Sequence, residues 1–368
     1  MKLALVVPGG VDRSGEVRVI PALLALIERL ARTHEVHVFA LRQETAAGCW
    51  KLLGATVHNI GEGRTHLRGI AAIRTEHRRA HFDVVHAIFS GPCGLVAIAA
   101  ARLLRLPSVV HVTGGELVAL RDIGYGGRLT WKGRLRERLV LHCADVVTAS
   151  SGPIVDLLQA LGVSARRVPL GVDLRKWPPL APHRRPGGPA RLIHIASLNR
   201  VKDQATLLQA LARLAKAGVE LGMDIIGTDT LRGEMTELAR KLGLDGRVRF
   251  LGFRTQRELR RIVECADLLV MSSRHEAGPF VLLEAAVAGV PTVGTAVGHI
   301  VEWAPSAALA VPVGNADRLA DAVHTLLANE ELRLRVARAA QCRALSEDAD
   351  YTARTFEALY LRLAGACT

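Results

Sequence analysis

Two carboxylates eight residues apart, Glu276 and Glu284, flank a Gly-Pro step in the stretch from Asp267 to Glu302, DLLVMSSRHEAGPFVLLEAAVAGVPTVGTAVGHIVE. The stretch reads as a buried strand, a polar loop, a short apolar helix and a second strand ending at a Gly. Glu276 falls in the loop and Glu284 inside the apolar helix, where an unpaired charge is costly. Gly278 and Pro279 precede the helix, and Pro is favoured at a first turn. A helix N-terminus entered through a Gly-containing loop is a ready anion site. Upstream, a strand at Leu192–Ala196 runs into Ser197-Leu198-Asn199-Arg200-Val201-Lys202-Asp203 and then a helix. Two cations and two small polar residues in a strand-to-helix turn suit a phosphate leaving group. The plainer alternatives are a capping and a snorkelling Glu in the first case, and a solvated turn with a Lys–Asp pair in the second.

The elements that must hold these groups can be read in order. Lys2–Val7 is a buried strand ending in Pro8-Gly9-Gly10. A helix follows with Leu23, Leu24, Ile27 and Leu30 at helical spacing; Pro21 marks its first turn, or kinks it if the helix starts nearer Glu16. Further strands are expected at 35–41, 56–60, 83–89, 107–112 and 145–149, with helices at 67–80, 94–104, 128–143 and 153–161; Val168–Pro169 completes the half. The segment 173–190, DLRKWPPLAPHRRPGGPA, holds five of the fifteen prolines and no apolar periodicity, which is linker chemistry. Alternation then restarts with strands near 192–196, 222–226, 248–251, 268–271 and 309–311 and helices at 204–217, 232–242 and 256–265. Three closing helices are expected near 316–328, 330–345 and 349–363. The expected organisation is an N-terminal domain over 1–172, a hinge over 173–190 and a C-terminal domain over 191–345. A last helix in 346–368 returns towards the first domain. Alternating strand and helix argues for two doubly wound parallel sheets, with ligand in the cleft between them at the carboxyl ends of strands.

Composition narrows the function classes. At 368 residues two domains are the default. The net charge of +13 suggests an acidic partner, and 22 Lys/Arg against 13 Asp/Glu in residues 1–172 place most of that excess in the first half. Aromatic content of 4% argues against base-stacking surfaces, so nucleic acid is not the expected partner. The six cysteines, 49, 93, 143, 265, 342 and 367, form no C-x-x-C, and no His lies at ligand spacing; structural thiols in a reducing compartment are expected. The apolar run in MKLALVVPGG is too short for a signal peptide, and no clean run of about 18 apolar residues exists, so a cytoplasmic, soluble or surface-bound protein is expected. The dinucleotide, P-loop and nucleophile-elbow fingerprints do not occur. Asp348-Ala349-Asp350 has a spacing that can bind a divalent metal, but it opens a helix after Ser346, where capping and first-turn charge explain it. No metal site is assigned.

Taken together, Glu276-x7-Glu284 followed by Ala285 and Gly289-Val290-Pro291 resembles the signature block of glycosyltransferase family 4. These are retaining, nucleotide-sugar-dependent enzymes of the GT-B fold. The resemblance runs over nearly the whole chain: Gly9/Gly10 and Ser14/Gly15, His34-Glu35-Val36, Gly171-Val172-Asp173, Val248-x-Phe250-x-Gly252 and Gly298-x3-Glu302. It implies that Lys202 meets the donor diphosphate and the charge on the departing nucleotide, while Glu276 binds donor-sugar hydroxyls. Glu284 would accept hydrogen bonds from the ribose, and Phe280 and Val281, after Gly278, would offer N–H groups to the phosphates. Gly252, Phe253 and Arg254 would lie near the base and Gly10 near the donor. Gly15, Thr113, Gly114 and Glu116 would face the acceptor. No cofactor or metal is implied, the nucleotide-diphosphate sugar being a co-substrate.

The chain departs from the family at defined positions. Ser197 stands where an Arg is usual, and Arg200 is the candidate to supply that charge. Pro279 removes an N–H from the usual E-G-F-G. Thr113-Gly114 replaces His-Gly, and Glu116 stands for Asp; His111 points to the opposite strand face and reads as packed. The basic helices at 68–79 and 128–138 are either solvated faces or docking sites for anionic lipid, which would suit a lipid-linked or polysaccharide acceptor. The expected activity is sugar transfer from a nucleotide diphosphate to a hydroxyl of a glycan, lipid-linked or small-molecule acceptor, with hinge closure about 173–190. The alternatives are an epimerase or phosphorylase of the same fold, or a non-catalytic basic protein that binds polyanions or membranes.

Overall fold

The computed structural model describes residues 1–185 and 187–365. The chain divides into two compact units, one built from residues 1–173 together with the segment from Glu347 onward, the other from Leu174–Ser346.

The first unit is an eight-stranded sheet of β1 (Lys2–Val7), β2 (Glu35–Ala40), β3 (Gly48–Leu52), β4 (Ala55–Asn59), β5 (Val84–Ile88), β6 (Ser108–Val112), β7 (Val146–Ala149) and β8 (Arg166–Arg167). The spatial order is β3-β4-β2-β1-β5-β6-β7-β8, and every pairing is parallel except β3 with β4. β1, β5 and β6 are buried along their full length, as predominantly apolar strands in a covered parallel sheet should be. The helices are α1 (Pro21–Leu30), α2 (Thr65–Arg79), α3 (Pro92–Leu104), α4 (Trp131–Cys143) and α5 (Gly152–Ala160). The last helix, Ala349–Gly365, lays Phe356 and Tyr360 into the same core as Leu5, Val38 and Val109.

Sequence reading missed β3 because its hairpin lacks the usual signal. The turn residues Leu53 and Gly54 both have positive φ, and a Leu there stands in place of the Asn or Asp that marks such turns. The helix expected from 128 starts at Trp131 instead. Thr130 caps it by accepting the Gly133 N–H at 3.0 Å, which leaves Arg128 in the preceding loop.

The second unit is a six-stranded, wholly parallel sheet of β9 (Ala190–Ile195), β10 (Leu221–Ile226), β11 (Val248–Gly252), β12 (Leu268–Met271), β13 (Thr292–Thr295) and β14 (Leu309–Val311), in the order β11-β10-β9-β12-β13-β14. Its helices are α6 (Gln204–Lys216), α7 (Glu234–Lys241), α8 (Gln256–Glu264), α9 (Phe280–Val287), α10 (Gly298–Trp303), α11 (Ala316–Ala328) and α12 (Glu330–Ser346), which makes the last helix α13. The strand order reverses between β9 and β12, and ligands of open α/β sheets bind at such a point.

From Leu174 on, the described residues of the Pro-rich segment are irregular until β9 begins at Ala190; they are not loose, and they belong to the second unit. The Leu180 N–H donates to Val287 O at 3.1 Å, Gln341 donates to Leu180 O at 2.7 Å, and Arg333 donates to His183 O at 2.6 Å. Pro186 and Cys367 lie outside the described residues. The expectation of structural thiols holds for Cys93, which is buried; Cys49, Cys265 and Cys342 are exposed and Cys143 is intermediate. Asp348 caps α13 by accepting the Tyr351 N–H at 2.7 Å, and Asp350 accepts from Arg29 at 2.6 Å.

Candidate active site

The turn after β9 and the turn after β12 are stitched together by two hydrogen bonds to main-chain carbonyls. Ser272 Oγ donates to Lys202 O at 2.8 Å, and the Arg274 N–H donates to Val201 O at 2.8 Å. Behind Lys202, Asp203 adopts positive φ and caps α6, accepting from the Thr206 N–H at 3.4 Å and from Thr206 Oγ1 at 2.7 Å. Lys202 Nζ then reaches Glu276 Oε1 at 2.5 Å, and Ser273 Oγ donates to the same oxygen at 2.7 Å. Glu276 is fixed from the other side by α10. Gly298 has φ +50°, and a Cβ there would lie 3.0 Å from Glu276 O and from Pro279 Cδ. Beneath the cluster, His194 is fully buried, with Nδ1 2.9 Å from Val270 O, and burial lowers its pKa to about 4. It is a neutral packing group.

Pro279 is the N-cap of α9, so Phe280 and Val281 are its first two helical residues, their N–H groups among those left without intrahelical acceptors. Gly278, partly exposed, leads into that cap. One turn further on, Glu284 is buried to 1% exposure and its Oε1 has no hydrogen-bond partner. Burial pushes its pKa up to about 8, with a hydrogen bond to Gln256 working against the shift. Gln256 is itself held by Trp177 Nε1 at 2.8 Å. A carboxylate kept dry with one oxygen unfilled has capacity for hydroxyl donors that the protein does not supply.

The remaining expected donor residues are less closely joined. Gly252, with φ +67°, ends β11; Phe253 beside it is 51% exposed, and Arg254 turns back on Phe253 O at 2.9 Å. Two residues beyond Arg254, Gln256 hydrogen-bonds Glu284. Ser197 is exposed at the start of the turn that follows β9. Arg200 does not join the cluster: its guanidinium forms a two-pronged pair with Glu234 at 2.8 Å on both arms. The fork geometry that would suit a phosphate is already satisfied there.

The first unit carries its own cavity, about 660 Å³, at the carboxyl ends of β1, β5 and β6. Glu116 is in its wall. Oε1 accepts the Ser90 N–H at 3.1 Å, while Oε2 is buried without a partner. Burial raises its pKa to about 7, opposed by nearby backbone N–H groups. Glu137 accepts from Ser90 Oγ at 2.7 Å and pairs with Arg136 at 3.3 Å; burial raises its pKa also. Phe89 holds a positive φ of 77°, unusual for an aromatic residue. Gly114 leaves no room for a side chain, since a Cβ would come within 2.9 Å of Glu116 Oε2 and 3.1 Å of the Phe89 ring. Thr113 is half-buried just after β6. His111 faces the other way, with Nδ1 2.9 Å from Thr148 Oγ1 and its ring edge-on to Phe356, the packed role expected for it.

Gly10 and Gly15 do not line this cavity. A Cβ at Gly10 would meet Ile20 at 2.5 Å, so packing within its own loop requires the glycine, whereas a Cβ at Gly15 would make only ordinary contact, 3.9 Å from Leu52. Sequence reasoning did not find Ser273, Gln256, Trp177, Ser90 or Glu137, because each acts only through a long-range contact. At the far end of the same sheet, His37, His58 and Glu76 bring ligand atoms within 4.8 Å of one another. They already have partners: His37 bridges His58 at 2.9 Å and Glu35 at 2.8 Å, and Arg79 holds Glu76 at 2.6 Å.

Two parallel-sheet α/β units with these topologies define the GT-B fold. The sucrose-phosphate synthase from Thermosynechococcus elongatus superposes with a TM-score of 0.85 at 18% identity, covering 100% of both chains. Anabaena HepE in complex with UDP-glucose gives 0.73 at 19% identity, covering 98% of this chain and 99% of that one. Residues 179–343 match the family described as Glycosyl transferases group 1, and residues 19–171 match the Glycosyl transferase 4-like domain. Each unit is thus similar to a glycosyltransferase domain, and the fold is GT-B. Among curated proteins, the glycogen synthase of Mycobacterium tuberculosis is 29% identical over 279 residues, 73% of this chain and 66% of that protein. The chain thus spans just under two thirds of that relative's length. No described helix is long and apolar enough to cross a membrane.

Proposed function

We propose that the protein transfers a sugar from a nucleotide-diphosphate donor to an acceptor hydroxyl, with retention at the anomeric carbon. The observation that carries this reading is the Lys202–Glu276 pair at 2.5 Å, held at the strand-order reversal beside the start of α9. In the free protein each group partly neutralises the other. A bound donor divides them: the lysine turns to the diphosphate, and Glu276, still anchored by Ser273 and α10, accepts hydroxyls of the sugar. Lys202 and the N–H groups of Phe280 and Val281 then face the charge that grows as the nucleotide leaves. Glu284 takes the ribose hydroxyls on its unfilled oxygen. Charge compensation is assigned to these groups, and transfer is expected to survive EDTA.

The acceptor is assigned to the cavity beside Glu116; its hydroxyl oxygen bonds to the anomeric carbon as the bond from that carbon to the diphosphate oxygen breaks on the same face, and the hydroxyl proton leaves with the diphosphate. The neighbour HepE was crystallised with UDP-glucose, which makes uridine donors the first to try. The test is a thermal-shift series with UDP, GDP, ADP and TDP, followed by donor hydrolysis and NMR assignment of the product anomer. No nucleotide diphosphate raising the melting temperature would overturn the donor site. An inverted product would overturn retention alone.

A further inference from the structure

We propose that α4 docks on an anionic lipid bilayer, its apolar stripe entering the headgroup boundary and the basic hollow beside it taking a lipid phosphate. The helix is anchored through Gly133, Glu137, Val140 and Leu141, which are buried. Trp131, Leu135 and Leu139 face outward at 63%, 49% and 51% exposure. Their i, i+4, i+8 spacing makes one stripe along the helix. Lys132, Arg134 and Arg138 are exposed around it, with Lys132 Nζ 5.7 Å over the Trp131 ring. The helix has one acid, Glu137, and it points inward. Among the described residues, no carboxylate forms an ion pair with Lys132, Arg134 or Arg138.

These features together select the occupant. A nucleic acid would meet the cations and leave Trp131, Leu135 and Leu139 in water. An apolar protein face would cover the stripe and strand the cations. An anionic membrane satisfies both, since apolar side chains enter below the headgroups while arginines remain at phosphate level. Next to the stripe a hollow of about 380 Å³ is walled by Arg128, Arg134, Arg138 and His142 over Leu141 and Leu161. α2, also basic, lacks this pattern. Its exposed cations accompany one exposed apolar side chain larger than alanine, Leu67, and Arg79 is already paired with Glu76. Of the two basic helices singled out in the sequence, α4 is the docking face and α2 a solvated one.

The test is flotation of the intact chain with vesicles of phosphatidylcholine alone, or of phosphatidylcholine with roughly one third phosphatidylglycerol. The expected result is binding to the anionic vesicles only, weakened by salt, with a blue shift in tryptophan emission that Trp131→Ala removes. Leu135→Gln with Leu139→Gln should weaken partitioning by about tenfold or more. Arg134→Gln with Arg138→Gln should weaken it by about tenfold or more and flatten its salt dependence. Arg74→Gln with Arg78→Gln, an equal charge loss on α2, should leave it within about twofold. No flotation, equal flotation with neutral vesicles, or an equal loss in the α2 variant would overturn the assignment. So would DNA duplex binding of matching strength that survives loss of the leucines. None of the substituted residues touches the donor cluster, so failure here leaves the transfer reading standing, and absent nucleotide binding leaves this one standing.

Discussion

Lys202 and Glu276 form an ion pair at 2.5 Å although 74 residues separate them, and they stand on opposite sides of the strand-order reversal between β9 and β12. The lysine side chain is 24% exposed and the glutamate 10%. A donor can therefore reach the pair, and its exchange of partners is the event on which the proposed chemistry turns.

Lys202→Ala is expected to lower kcat/KM by about a hundredfold or more, the range for losing one group aimed at developing charge. Melting temperature should change little, because a part-exposed ion pair contributes about 1 kcal/mol or less. Steady-state kinetics beside a thermal melt checks both. A large loss of stability at unchanged kcat/KM would make the lysine structural.

Glu284→Gln should separate stability from binding. The folded-state pKa of about 8 lies above the ordinary carboxylate value, so the folded protein holds a proton that the unfolded chain releases between about pH 4.5 and 8. Stability from this site is present at low pH and is lost as pH rises through 8. The glutamine variant removes that loss and should be more stable at pH 8.5, by roughly 2–4 kcal/mol. Its affinity for the nucleotide sugar should fall. In the wild type, hydroxyl donors favour the ionised form, so titration calorimetry should find affinity rising with pH up to about 8.

Gly298→Ala places a Cβ against Glu276 O and Pro279 at 3.0 Å, on a backbone with φ +50°. The expected outcome is a loss of about 1–2 kcal/mol with a disproportionate fall in kcat. Equilibrium unfolding and kinetics on the same preparation separate the two effects.

Arg200→Ala should leave nucleotide affinity within about twofold, because its fork is occupied by Glu234 in an exposed pair of small energetic weight. A tenfold weakening would mean that the arginine leaves Glu234 for the donor.

In the first unit, Glu116 is expected to impose a pH dependence on acceptor binding centred near 7, where burial has placed its pKa. Glu116→Gln should flatten the acceptor KM–pH profile without altering donor KM.

Much of the strand and helix succession was legible because buried parallel strands appear as unbroken apolar runs and their helices as periodic ones. Glu284 stood out for the same reason, as a charge where apolar patterning predicts none, while Glu276 and Lys202 stood out by their place in the loops that lead into helices. Arg200 was misleading: sequence distance puts it two residues from Lys202, while the turn sends it to Glu234. Ser273, Gln256 and Trp177 could not be singled out, since their place depends on packing between strands and on a segment that reads as linker. The difference between α4 and α2 was also hidden, because charge counts match and only burial tells which leucines remain outside.

The union of α13 with the first unit has a consequence for how the chain is made. Tyr360 hydrogen-bonds His86 at 2.6 Å, Phe356 lies fully buried among the strands, and Thr352 receives the Gly171 N–H at 2.9 Å. On the ribosome, the half synthesised first lacks these side chains until residues 352–360 have emerged, whereas the second unit has every strand it needs by residue 346. The later-made unit is therefore the first able to complete its core, reversing the usual order for vectorial folding. A chain truncated after Ser346 and released should resist protease over 174–346 and be cut within 1–173.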